Sequence, residues 1–249
     1  PWNPLRTTAG SSGGEAAALA TGMSPIGLGN DLGGSLRNPA NACGIASIRP
    51  SAGRVPDAGF VPREDYLMAV QLMNVQGPMA RRIDDVRLGL QVLMGAHPRD
   101  PWSFTAPLNG PAPNGPIRVA VVTAPPGGTC DPTVSATVRR AADALANAGY
   151  EVVDACPPRY EEVAATWARL LMGDFASVLD QLMPLMGEGG KTFLATANAA
   201  VAPLTSTTDM SQLLALRHGL GRAWSQFMAE HPLVLTPTWT QIPFEQGFD

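Results

Sequence analysis

The chain has 249 residues, 45% of them hydrophobic, enough to bury a sizeable core as one large domain or two small ones. Its formal net charge is −4 and its 17 basic residues are scattered, so no phosphate-tracking face forms and nucleic acid is not expected as a partner. No apolar run reaches membrane-spanning length, and the three cysteines, Cys43, Cys130 and Cys156, stand in no metal or redox spacing, which fits a reducing, cytoplasmic setting.

In chain order, the serine-rich stretch AGSSGG (Ala9 to Gly14) precedes EAAALATG, a short alanine-rich helix with Gly22 at its C-terminal cap. PIGLGND then reads as an extended segment that delivers the GGS turn ending at Ser35. Over residues 77 to 95, Met79, Ile83, Val86, Leu90, Leu93 and Met94 recur near helical spacing and predict one amphipathic helix closed by Gly95. Residues 97 to 116, rich in Pro, Gly and Asn, form a connection between the core 1–96 and a second half, 117–249, of one domain. That half begins as a β-α-β unit: IRVAVVT, a helix capped by Asp131 and Pro132 and closed by Gly149, then YEVVDA, with parallel pairing expected. Two long helices follow, from Glu161 and from Asp209, and LVLTPT is a last strand, so the class is α/β.

The chemistry concentrates near the start. Gly33 and Gly34 let the backbone aim N–H groups at one point, as a developing oxyanion requires, and Ser35 is presented beside them. Ser12 formally satisfies G-x-S-x-G, but an esterase elbow needs an entering strand and a histidine from His97, His218 or His231. GEGGKT, ending at Thr192, has Leu185 where a phosphate loop needs its first glycine and reads as a helix-to-helix turn. Three isolated histidines make no ligand set, so neither metal nor cofactor is expected.

Residues 9 to 56 as a whole, with Ser-Ser-Gly-Gly, Asp-x-Gly-Gly-Ser-x-Arg, Pro39, Cys43-Gly44, Pro50 and Gly-Arg-Val-Pro, resemble the amidase signature family. The resemblance implies a mixed twisted sheet covered by helices on both faces and a Ser, cis-Ser, Lys triad. It implies that Ser35 is the acyl nucleophile and that Ser11, 24 residues earlier and after a cis peptide bond, is the bridging serine. The amides of Leu32, Gly33, Gly34 and Ser35 are the implied oxyanion hole, with Asp31, Arg37 and Ser12 in support. It also implies a small-molecule amide substrate and leaves a homodimer open.

Two departures concern the first motif: Ala9 stands where the family usually has glycine, and Asn30 where it has Thr or Ser. The third is the base. The family's lysine lies upstream of the serine pair, whereas the single lysine here is Lys191, expected in a solvated turn. The chain, without an initiator Met, therefore reads as a central fragment lacking N- and C-terminal parts and weak as a catalyst by itself. Half of the acyl pocket is expected to be absent, with helices near Trp167 to Met186 supplying the rest. The rival readings are a glutaminase subunit of a transfer-RNA-dependent amidotransferase, whose usual Thr-Tyr-Gly-Arg-Val-Ser is here SAGRVP, and a non-catalytic relative that binds an acyl or carboxylate ligand.

Overall fold

Glycine pairs place the first helix directly against the first strand. A computed structural model describes residues 2–58, 67–111 and 113–247. In it α1 (Gly13–Ala20) lies over β1 (Ile26–Asp31). Gly27 and Gly29 face that helix. A Cβ at Gly27 would sit 2.0 Å from Glu15 Oε1, and one at Gly29 would sit 2.5 Å from Ser12 Oγ, so side chains there would push the layers apart.

The chain divides into two compact units, Pro1–Ala112 with Ile242–Phe248, and Pro113–Gln241; one break lies within residues 97 to 116, and residues 242 to 248 group with the first unit and not with the second half read from the sequence. In the first unit α2 (Arg37–Cys43), β2 (Ala46–Ser47), α3 (Met68–Met73), β3 (Val75–Ala80) and α4 (Ile83–Leu93) follow β1. The sheet is antiparallel in the order β1-β3-β2, with Asp31 opposite Val75 and Ala46 opposite Ala80. Leu19, Leu36, Met79 and Cys43 form the core beneath it. Each large apolar side chain buried there contributes about 1.5–3 kcal/mol.

The single helix predicted over residues 77 to 95 is replaced by β3 and the shorter α4. Met79 matches the helical period but is fully buried as a strand residue. The central strand is hydrogen-bonded on both edges, and a Cβ at Gly77 would lie 2.3 Å from the Ile48 carbonyl oxygen, so tertiary pairing overrides local spacing here. Helix α4 starts only at Ile83, with Asp84 and Asp85 in its first turn complementing the helix dipole.

In the second unit β4 (Arg118–Val121), α5 (Pro132–Asn147) and β5 (Glu151–Asp154) form the predicted unit, with β4 and β5 parallel. Asp131 caps α5 by accepting from the Thr133 N–H at 2.7 Å. Three helices, α6 (Tyr160–Leu182), α7 (Glu188–Ala199) and α8 (Thr207–Glu230), precede β6 (Leu233–Leu235), which pairs parallel to β4. Val119, Val121, Val138 and Ala142 make this unit's core.

Helix α7 stands where the sequence suggests only a turn. GEGGKT is its N-terminal cap and first turn, and Lys191 is ion-paired to Glu188 at 2.6 Å on the helix surface instead of lying in a flexible turn. The thiols lie at three depths, Cys43 buried, Cys130 half-buried and Cys156 exposed. No helix among the described residues is long and apolar enough to cross a membrane, and no group of three potential metal ligands occurs among them.

Candidate active site

Asp31, the last residue of β1, is the organising charge of the first unit and is inaccessible to solvent. Its Oδ1 accepts from the Gly34 N–H at 2.8 Å and from Arg37 Nη2 at 2.8 Å. Its Oδ2 accepts from Arg37 Nε at 2.9 Å and from the Leu36 N–H at 3.2 Å. Burial alone would raise this carboxyl, but the Arg37 fork and the turn amides hold it below the usual carboxylate range. The same contact pushes the Arg37 guanidinium up. The carboxylate thus acts as a template around which residues 32 to 37 fold.

The turn itself needs glycine at one point. Gly34 has φ +115°, and a Cβ there would lie 2.6 Å from Asn38 Nδ2. From this buried pivot the chain emerges at half-buried Ser35 and then enters α2, whose Asn38 N–H donates to the Gly34 carbonyl at 2.7 Å.

The first serine turn meets the second through the backbone: the Ser12 N–H donates to the Ser35 carbonyl at 3.2 Å. The peptide bond between Gly10 and Ser11 is cis. Ser11 is exposed, while Ser12 is half-buried at the N-cap of α1 against Gly29. Ala9 has φ +56°, a left-handed conformation at the position where the sequence departs from the family's glycine.

Among the predicted oxyanion donors one is reassigned. The Gly34 N–H is directed at Asp31, so it shapes the turn and is withdrawn from the oxyanion set, while Gly33 is exposed and Leu32 half-buried beside it. The Ser12 turn lacks the entering strand of an esterase elbow. Residues 7 to 10 are not a strand, His97 Nδ1 accepts from the Arg99 N–H within a local turn, and His231 ends α8 stacked on Phe227.

Arg49 lies outside the motifs legible in the sequence, yet its Nε is 3.4 Å from Asp31 Oδ1. The available signal is a lone arginine in the apolar run GIASIRP, a placement that calls for a buried acidic partner.

The family model described as Amidase matches residues 1–248. The chain belongs to the amidase family. It is 40% identical over 241 residues to an indoleacetamide hydrolase of Bradyrhizobium japonicum, covering 96% of this chain and 51% of that protein. It is 38% identical over 174 residues to a glutamyl-tRNA(Gln) amidotransferase subunit of Synechococcus sp. (strain RCC307), covering 67% of this chain and 34% of that one. A solved bacterial aryl acylamidase of the amidase signature enzymes aligns over 100% of this amidase chain and 53% of its own, with TM-score 0.79 and 25% identity. The fold is therefore that of the amidase signature enzymes, and the chain spans about half the length of the curated relatives it matches first.

Proposed function

We propose that this amidase chain carries the nucleophile half of an amide hydrolase that converts a carboxylic amide to an acid plus ammonia or an amine. The observation that carries the reading is the backbone hydrogen bond joining the two serine turns, from the Ser12 N–H to the Ser35 carbonyl. Ser35 Oγ attacks the amide carbonyl and passes its proton to Ser11 Oγ, whose own proton moves to a neutral base. The oxyanion that forms is received by the Leu32, Gly33 and Ser35 amides, each donor of this kind contributing about 2.7–4 kcal/mol. The proton returns through Ser11 to the departing amine, and water then hydrolyses the Ser35 ester. Lys191 is engaged with Glu188 on α7, so the base is assigned to no residue of this chain; the family pattern puts a lysine N-terminal to the first serine turn.

The hydrolase reading is favoured over the amidotransferase one because the indoleacetamide hydrolase similarity extends over 96% of the chain, against 67%, and because SAGRVP departs from the amidotransferase ending. A primary amide on an aryl-bearing acyl group is the substrate class this supports.

The test is labelling of the intact protein with a fluorophosphonate probe, followed by peptide mapping. Modification at Ser35, lost in Ser35→Ala and strongly reduced in Ser11→Ala, is the expected result. Labelling at Ser12 would move the assignment to an esterase elbow, and a protein inert to the probe would be a non-catalytic relative.

A further inference from the structure

Two guanidinium groups converge on one buried carboxylate, although Arg37 alone would neutralise it. Arg37 binds Asp31 through both Nε and Nη2, and its side chain is 48% exposed. Arg49 is more enclosed, 29% exposed, and approaches Asp31 Oδ1 at 3.4 Å through Nε. Its Nη2 meanwhile donates to the carbonyl of Met73, the last residue of α3. Burial lowers the Arg49 guanidinium, with the Asp31 charge working against that effect, so the cation is kept here at a cost in solvation.

The place of this second contact matters. Two residues beyond Met73 the chain enters β3 at Val75, the residue registered opposite Asp31. Asn74 and Gln76, on either side, donate through their side-chain amides to Asp57 at 3.1 and 3.0 Å. Arg49 therefore ties the end of β1, where the nucleophile turn departs, to the α3–β3 junction that Asp57 already holds.

We infer that Arg49 is a positioning residue for the reaction: by gripping Asp31 and the Met73 carbonyl together, it fixes the turn that presents Ser35. The inference rests on the reading of Ser35 as nucleophile. A guanidinium can make both contacts because its separate nitrogens diverge in a rigid fork, whereas a lysine ammonium presents all its donors from a single nitrogen.

Two measurements on the intact protein test it. The first is the rate of fluorophosphonate labelling at Ser35, normalised to folded protein. Arg49→Gln is expected to slow it by about 30-fold, since small displacements of a reacting group cost up to about 100-fold. Arg49→Lys, which keeps the charge and carries the test if the glutamine variant does not fold, is expected to slow it by about 5-fold. The second is amide hydrogen exchange, which needs no reaction. The Gly34, Leu36 and Arg37 amides are expected to exchange about 10-fold faster in either variant while those of α5 are unchanged. Wild-type labelling rates in both variants, or unaltered exchange in the turn, overturn the inference. Failure of the wild-type protein to label at Ser35 overturns the nucleophile reading instead, and the exchange data tell the two failures apart.

Discussion

The two units build three-stranded sheets from opposite principles. In the first, antiparallel unit the short helix α1 buries Gly13, Ala16 and Leu19 among its eight residues, and a fully buried carboxylate is satisfied from several directions. In the second, parallel unit α6 buries Thr166, Leu170, Leu171, Met172 and Asp174, but the 24-residue helix α8 buries only Leu213 and Leu220, and α7 only Leu194. The difference teaches where sequence changes are absorbed. Close backbone approach and a carboxylate held by several donors leave the first unit little room, whereas α7 and α8, lightly buried along their length, leave that part of the second unit a great deal.

The sharpest way to break this comparison is Asp31→Asn, which leaves two guanidiniums facing a neutral amide. It is expected to cost about 3 kcal/mol in denaturant unfolding of the first unit, with the second unit's transition unmoved. The same residue sets an acid limit. Because the folded carboxyl is held below its ordinary value, its stabilisation is complete above the usual carboxylate range near pH 3.9 and is lost as pH falls through the lower folded value. Acid titration of wild type should show that loss in the first unit, and Asp31→Asn should abolish it.

Next in size is a pair of identical changes with opposite signs. Gly34→Ala forces a side chain into a left-handed conformation and against Asn38, and is expected to destabilise by about 2 kcal/mol. Gly221→Ala, in α8, meets nothing within 4 Å and should stabilise by about 0.5–1 kcal/mol through helix propensity. Thermal unfolding of both variants compares the units directly, and equal signs would remove the distinction drawn here.

The smallest effect concerns Ala9, whose φ of +56° carries a cost that glycine would not. Ala9→Gly should gain about 0.5 kcal/mol, the relief of strain being partly offset by greater freedom of the unfolded chain. An unchanged or lower melting temperature would place that strain elsewhere.

How legible the molecule is from its sequence follows the same division. The serine turns, Asp31 and Arg37 can be read because glycine beside a polar residue has few structural uses, and the α5 caps because Asp131-Pro132 fits one position of a helix. Strand β3 reads as helix because its apolar residues fit a period of 3.6 equally well, and only pairing with β1 and β2 decides between them. Helix α7 is hidden because its opening, EGGKT, has poor propensity and shows no buried stripe beyond Leu194. Arg49 escapes notice because its partner lies 18 residues away in sequence, a distance no local pattern spans.

The graded depth of the three thiols gives the protein an internal chemical clock. Cys156 is open to an alkylating reagent, Cys130 is half shielded, and Cys43 is 1% exposed in the core under Leu36, its thiol pushed up by burial. Reaction at Cys43 must wait for the first unit to open, so its alkylation rate counts those openings one molecule at a time, while Cys156 in the same sample calibrates the reagent.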